Sequence, residues 1–257
     1  MRRSKDMDDL PAELFTDPAW QALNTRHSHL AVIEGDARRY PVDVAPFAAL
    51  AKPTELALWE LHSLLAPGEF VWLFGTHYPY LPELRNEGTL ECVQMVLTIE
   101  LTAKDSPIEL QRLSAADSNA MVTLTDAAFP GFFRSRTYEM GTYYGAWLDS
   151  REESGQLIAM AGERLTLDGY TEISGVCTLH EHRGKGLAAN LIERVARDHV
   201  EQGVVSFLHV AAANTKAIEL YRRLGFVETR RTTLTRLVRP ELAIAYGRDE
   251  ASAPPRG

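Results

Sequence analysis

One stretch constrains this chain more than any other. Residues 175–188 read GVCTLHEHRGKGLA. An apolar, strand-like run enters a turn with glycines at 184 and 186. Beyond it Leu187, Leu191, Ile192, Val195 and Val200 recur at helical spacing. The first amides of a helix are unpaired and carry the positive end of its dipole. Gly184 and Gly186 let an anion approach that backbone, and Arg183 and Lys185 add charge. The turn therefore reads as a diphosphate cradle between a strand and a helix. Three rival phosphate motifs fit less well. A P-loop needs Ser or Thr after Gly-Lys, where this chain has Gly186. The dinucleotide fingerprint is matched by Gly184, Gly186 and Ala189, but residues 210–214 (VAAAN) lack its acidic residue. A kinase glycine loop does not open a helix.

The surroundings of the turn set the organisation. Strands are predicted at 143–148, 157–165 and 170–179, joined by the charged turn 150–155 and the hairpin signal Asp168-Gly169. A strand at 204–210, a helix at 214–224 stopped by Gly225 and a strand at 229–238 follow. Upstream lie a strand at 108–113, a helix at 114–128 and an aromatic, basic loop at 129–140. The first 105 residues read as a smaller α/β unit. It has a strand at 28–34, a helix capped by Thr54, a strand at 70–74, a loop at 76–88 and a strand at 90–101. The polar segment 103–107 is the expected boundary, giving domains 1–105 and 106–246 and a disordered tail 247–257. Residues 1–10 are charged and also read as disordered.

Composition narrows the function classes. A net charge of −8 argues against nonspecific nucleic-acid binding, which needs a basic footprint. No run approaches the ~20 apolar residues of a membrane helix, and the start MRRSKDMDDL lacks the apolar core of a signal peptide. Cys92 and Cys177, the two cysteines, make neither a disulfide framework nor a zinc site, so a cytoplasmic protein is expected.

Within the turn, Arg183-x-x-Gly186-x-Ala188 resembles the pyrophosphate motif Q/R-x-x-G-x-G/A of the GNAT superfamily, the acetyl-CoA-dependent N-acetyltransferases. Residues 214–226 (NTKAIELYRRLGF) resemble the family's N-x-x-A-x-x-L-Y-x-x-L-G-F. The resemblance covers about residues 107–240, and 1–105 read as at most a degenerate copy. It implies an α/β fold with a mixed, centrally splayed sheet flanked by helices, here with an N-terminal α/β domain. It also implies acetyl-CoA as cofactor, with the pantetheine arm along the backbone of Val176, Cys177 and Thr178. Arg183, Gly184, Lys185, Gly186, Leu187 and Ala188 would hold the diphosphate. Gly175, inside a strand, suggests a bulge or a close approach.

The resemblance implies that Tyr221 is the acid for the departing thiolate, against a packing role on its helix. Asn214 would cap that helix and touch the cofactor. Strand alternation puts Glu172, Ser174, Val176 and Thr178 on one face, making Glu172 the candidate base and Glu163 the runner-up. Phe133, Arg134 and Arg136 of the aromatic loop would line the acceptor site and suit an apolar or aromatic amine bearing a carboxylate, unless they pack against the first domain or are solvated. His27-x-His29 and His180-x-His182 lack a third ligand, so no metal is expected, and Cys177 reads as a small buried hydrophobe. The expected activity is direct acetyl transfer to a primary amine of a small, amino-acid-like acceptor in a ternary complex. The alternatives are a protein amine as acceptor, or a non-catalytic acyl-CoA-binding module. Oligomeric state is not legible.

Overall fold

The computed structural model describes residues 15–99, 109–128, 130–148 and 155–241. The expected linker 103–107, most of the turn 150–155, and the ends 1–10 and 247–257 lie outside the described residues. Asp17 opens helix α1 (Pro18–Asn24), its side chain accepting from the Trp20 amide at 2.9 Å. Strands β1 (Val32–Glu34), β2 (Ala37–Arg39) and β3 (Ala48–Leu50) form a small antiparallel sheet. Thr54 caps helix α2 (Glu55–Leu64), as the sequence predicts. Strands β4 (Phe70–Phe74) and β5 (Arg85–Leu97) follow, then β6 (Gln111–Arg112) and helix α3 (Ser118–Asp126). The remainder runs β7 (Tyr143–Leu148), β8 (Gln156–Leu167), β9 (Tyr170–Thr178), α4 (Leu187–Gln202), β10 (Val205–Ala211), α5 (Thr215–Arg223) and β11 (Phe226–Val238).

Eight strands make one sheet in the order β4-β11-β5-β10-β9-β8-β7-β6. Among these strands β9 and β10 are the parallel neighbours; the other pairs are antiparallel. Strands from both sides of the expected boundary at 105 thus share this sheet, with β5 hydrogen-bonded between β10 and β11. The reason is the run Cys92 to Leu97, buried on both faces, which a central strand position satisfies. The described residues 15–99 therefore do not close a separate core around β5.

Two layers cover the sheet. On one face α4 buries Leu187, Leu191, Ile192, Val195, Ala196 and His199, and left-handed Gly203 ends the helix. Helix α5 adds Ile218 and Tyr221 to this core. On the other face α3 packs Met121 and Leu124 with Phe133, Tyr143, Met160 and Cys177. Some expectations shift. Of the strand at 28–34, only Val32–Glu34 pairs, after a 3-10 turn at Ser28–Leu30. Strand β5 begins inside the expected loop, its polar residues 85–89 held by pairing with β11.

Candidate functional site

The parallel pairing of β9 with β10 ends at Glu172 opposite Phe207. Beyond that point β9 keeps β8 on one side only, while β10 stays on β5. The sheet forks, and the β10-facing edge of residues 174–178 is left without a strand. Gly175 makes the bend at the fork. Its φ of +64° is left-handed, and the register against β8 slips there, with Gly162 opposite Ser174 but Met160 opposite Cys177. A Cβ at 175 would lie 3.2 Å from Tyr143 Cε1 and 3.3 Å from Met160 Cε, so a side chain there is strained twice over.

The bulge corrects the expected facing of Glu172. Past Gly175 the alternation is reversed: Ile173 and Val176 both pack into the core under α4, whereas Cys177 packs with Phe133 and Tyr143 on the opposite face. Glu172 therefore does not share a face with Val176 and Thr178. Its carboxylate is fully buried and receives Arg164 Nε at 2.8 Å and Nη2 at 2.6 Å, with His209 Nδ1 at 2.7 Å. Burial pushes this carboxyl up, but Arg164 and His209 outweigh it and hold it down at about 2. A carboxylate so paired is a poor proton acceptor. The chain of contacts continues from His209 Nε2 to Gln94 Nε2 at 3.0 Å, and Thr229 Oγ1 lies 3.2 Å from Gln94 Oε1. Five adjacent strands are cross-linked at the fork. Glu163, the runner-up, faces α4: it accepts from the Thr142 amide at 2.7 Å and lies 3.1 Å from His199 Nε2.

Strand β9 runs through a short turn, His180–His182, into the N-terminus of α4. Gly186 is the N-cap, left-handed at φ 77°, and no side chain caps the helix. Its first internal bond in this region runs from the Asn190 amide to the Gly186 carbonyl, leaving the amides of 187–189 without helical partners. The cradle is open: a Cβ on Gly184 would meet nothing within 4 Å, and one on Gly186 only Asn190 Nδ2 at 4.0 Å. Arg183 and Lys185 flank it, Arg183 donating to the Thr178 carbonyl at 3.2 Å. Thr178 Oγ1 is buried without a hydrogen-bond partner where the free edge meets the turn. An unpaired edge, an orphan hydroxyl and uncapped amides in sequence fit the amide-rich arm and diphosphate of an acyl-CoA.

Tyr221 is buried on α5, edge-on to Phe226 at 5.9 Å, and burial pushes its phenol up to about 12. Asn214 caps α5, accepting from the Ala217 amide at 3.2 Å. Burial also pushes the Cys177 thiol up to about 12, the environment of an inert side chain. Phe133 is buried edge-on to Tyr143, 3.9 Å from where a Gly175 Cβ would be. Arg136 is committed elsewhere, to Glu139 at 2.7 Å and Asp43 at 3.2 Å. Arg134 lies over the Phe70 ring. His27 bonds Tyr40 Oη at 2.8 Å, and burial lowers it to about 4. Among the described residues no group of three His, Cys, Asp or Glu is placed to hold a metal, and no helix is long and apolar enough to cross a membrane. Arg164, His209 and Gln94 escaped the sequence analysis, although each puts a polar side chain into the middle of an apolar strand.

The model of the FR47-like protein family matches residues 151–235, which span the fork, the turn and α5. No match is found among curated proteins. A solved structure from Novosphingobium aromaticivorans, described as an acetyltransferase of the GNAT family, is 36% identical with a TM-score of 0.78 over 87% of this chain and 97% of its own. A GCN5-related N-acetyltransferase from Kribbella flavida (20% identity, TM-score 0.54, 84% and 91% covered) shares the fold. So does a GCN5-related N-acetyltransferase-like protein from Streptococcus suis (11%, 0.56, 90% and 95%). With the forked sheet and the uncapped turn already in place, that identity over most of both chains makes this chain a member of the GNAT superfamily of acyltransferases.

Proposed function

We propose that the protein transfers acetyl from acetyl-CoA to a primary amine, by direct attack in a ternary complex. The observation that carries this reading is continuity: the free edge of β9 leads through Thr178 into the open, uncapped N-terminus of α4. The thioester supplies an activated acyl carbonyl. In the transfer a C–N bond forms, the C–S bond breaks, and a proton leaves nitrogen and ends on sulfur. The backbone of Val176, Cys177 and Thr178 pairs with the pantetheine arm, and Arg183 to Ala188 hold the diphosphate. Phe133 walls the acceptor side. Glu172 holds the fork rather than taking a proton, and no other carboxylate is assigned as base. Work in the cytoplasm fits this chemistry and the two free, buried cysteines.

Tyr221 is protonated at neutral pH, as a phenol ordinarily is, and burial raises its pKa further. A phenol at about 12 gives a hydrogen bond to the departing sulfur more readily than it gives up its proton, since an ordinary thiol sits near ~8.5. Tyr221→Phe should lower kcat by on the order of 10²-fold, as for the loss of one donor aimed at developing negative charge, and leave the acetyl-CoA dissociation constant nearly unchanged; unaltered turnover would reassign Tyr221 to packing. The activity itself is tested by CoA thiol release from acetyl-CoA with a panel of small primary amines and with peptides. Amine-dependent release supports transfer, and small amines outpacing peptides supports the small acceptor. Tight binding with no release from any amine would make the chain a binding module.

A further inference from the structure

Two arginines converge on one ring of the edge strand β4. The guanidinium carbon of Arg236 lies 4.2 Å from the Phe70 centroid, and that of Arg134 5.6 Å from it. In each, Nε is buried and has no hydrogen-bond partner. Neighbouring carboxylates do not supply one. Glu69 is taken by Arg39, which donates to it at 2.9 and 3.1 Å. Glu87 approaches Arg236 Nη1 only at 3.5 Å and is shared with Arg85. Buried guanidinium donors are normally satisfied, and their natural complement is a planar carboxylate.

The loop ties this pair to the reaction centre. Phe133 reaches the Gly175 bulge, and Phe132 stacks on Trp72 at 5.6 Å. Arg134 is the next residue and reaches Phe70. Phe70 and Trp72 alternate onto one face of β4, and Arg236 stands opposite Trp72 in the register with β11. Aromatic rings thus connect the bulge to the arginines through the loop. Phe133 touches the bulge while the adjacent Arg134 reaches away from it to Phe70, so the two side chains set the arginines apart from the fork, an arrangement suited to an amine whose anion lies several bonds away.

We propose that Arg134 and Arg236, with Phe70 beneath them, form the subsite for a carboxylate on the acceptor, separated from the reacting amine by an apolar or aromatic spacer. This rests on the acyl-transfer reading, and the test separates the two. The probes are 4-(aminomethyl)benzoate and 4-(aminomethyl)benzamide, which differ only in the charged group. Thiol release is measured with each, and binding of each in the presence of CoA is measured by calorimetry, for the wild type, Arg134→Met and Arg236→Met. Melting curves confirm that the variants fold. The wild type should prefer the acid by at least ~10-fold in kcat/KM and in affinity, a typical gain for a charge-assisted bidentate contact. In either variant the ratio should collapse toward one. Equal use and equal binding of acid and amide by the wild type, or a preference that survives both variants, would overturn the subsite and leave acyl transfer standing. A binding preference that the variants abolish, with no thiol release from either amine, would uphold the subsite and sink the transfer reading for this acceptor class.

Discussion

Glu172→Gln should unfold far more easily than the wild type while keeping the form of its pH–rate profile. The substitution leaves Arg164, whose side chain is only 15% exposed, without its counter-charge. Removing one member of a buried ion pair costs about 3–5 kcal/mol, or on the order of 10 °C in Tm for a chain of this size. Arg164→Met with Glu172→Leu removes both charges and should recover much of the loss, because an apolar pair often replaces a buried ion pair without penalty. The sign of the pH dependence follows from the same contacts. The folded-state pKa of Glu172 is depressed to about 2, below its ordinary value near 4.5. Its contribution to stability is therefore complete above about pH 4.5 and is lost as pH falls toward 2. Thermal melts between pH 6 and pH 3 should show a fall in Tm that is smaller in the double variant. Wild-type stability in Glu172→Gln, with slow turnover restored at high pH, would instead return the residue to the role of base.

Acetyl-CoA at ~100 times its dissociation constant should stabilise the wild type by about 2.7 kcal/mol, a rise of roughly 5–10 °C, and Gly186→Glu should abolish it. Two effects combine. The left-handed φ of 77° at the N-cap strains any side chain, and a carboxylate there meets the incoming diphosphate at the positive end of α4. Gly186→Ala carries the strain without the charge, and its Cβ would meet only Asn190 Nδ2 at 4.0 Å. It should keep a reduced but measurable shift, so that loss of fold is distinguished from loss of the cradle.

The parts of the site that were legible are those written in local backbone chemistry. The glycines of the turn, the apolar stripe of α4 apart from Val200, which is exposed, and the Asn214 cap announce their conformations within a few residues, and strand β9 lies within a residue of its expected bounds. What escaped depends on partners far along the chain. Nothing near Cys92 to Leu97 says that β5 will insert between β10 and β11. Helix α1, seven residues long, is too short to show a period. The facing of Glu172 turned on one residue: strict alternation predicts a shared face with Val176, and the bulge at Gly175 reverses it. Arg136 has one partner that was close at hand, Glu139 three residues on, and one that was not, Asp43, 93 positions away in sequence. Arg236 drew no attention because only the folded sheet brings it to Phe70.

In the proposed function the forked edge and the α4 turn together hold acetyl-CoA. A rival location exists: a cavity of about 510 Å³ lined by Phe74, His77, Tyr78, Arg230 and Arg231. Amide hydrogen exchange with and without saturating acetyl-CoA compares the two directly. Protection should rise at residues 174–178 and 184–189, with 74–78 and 230–233 unchanged. Protection confined to the cavity residues, with the fork and the turn exchanging as before, would contradict the account.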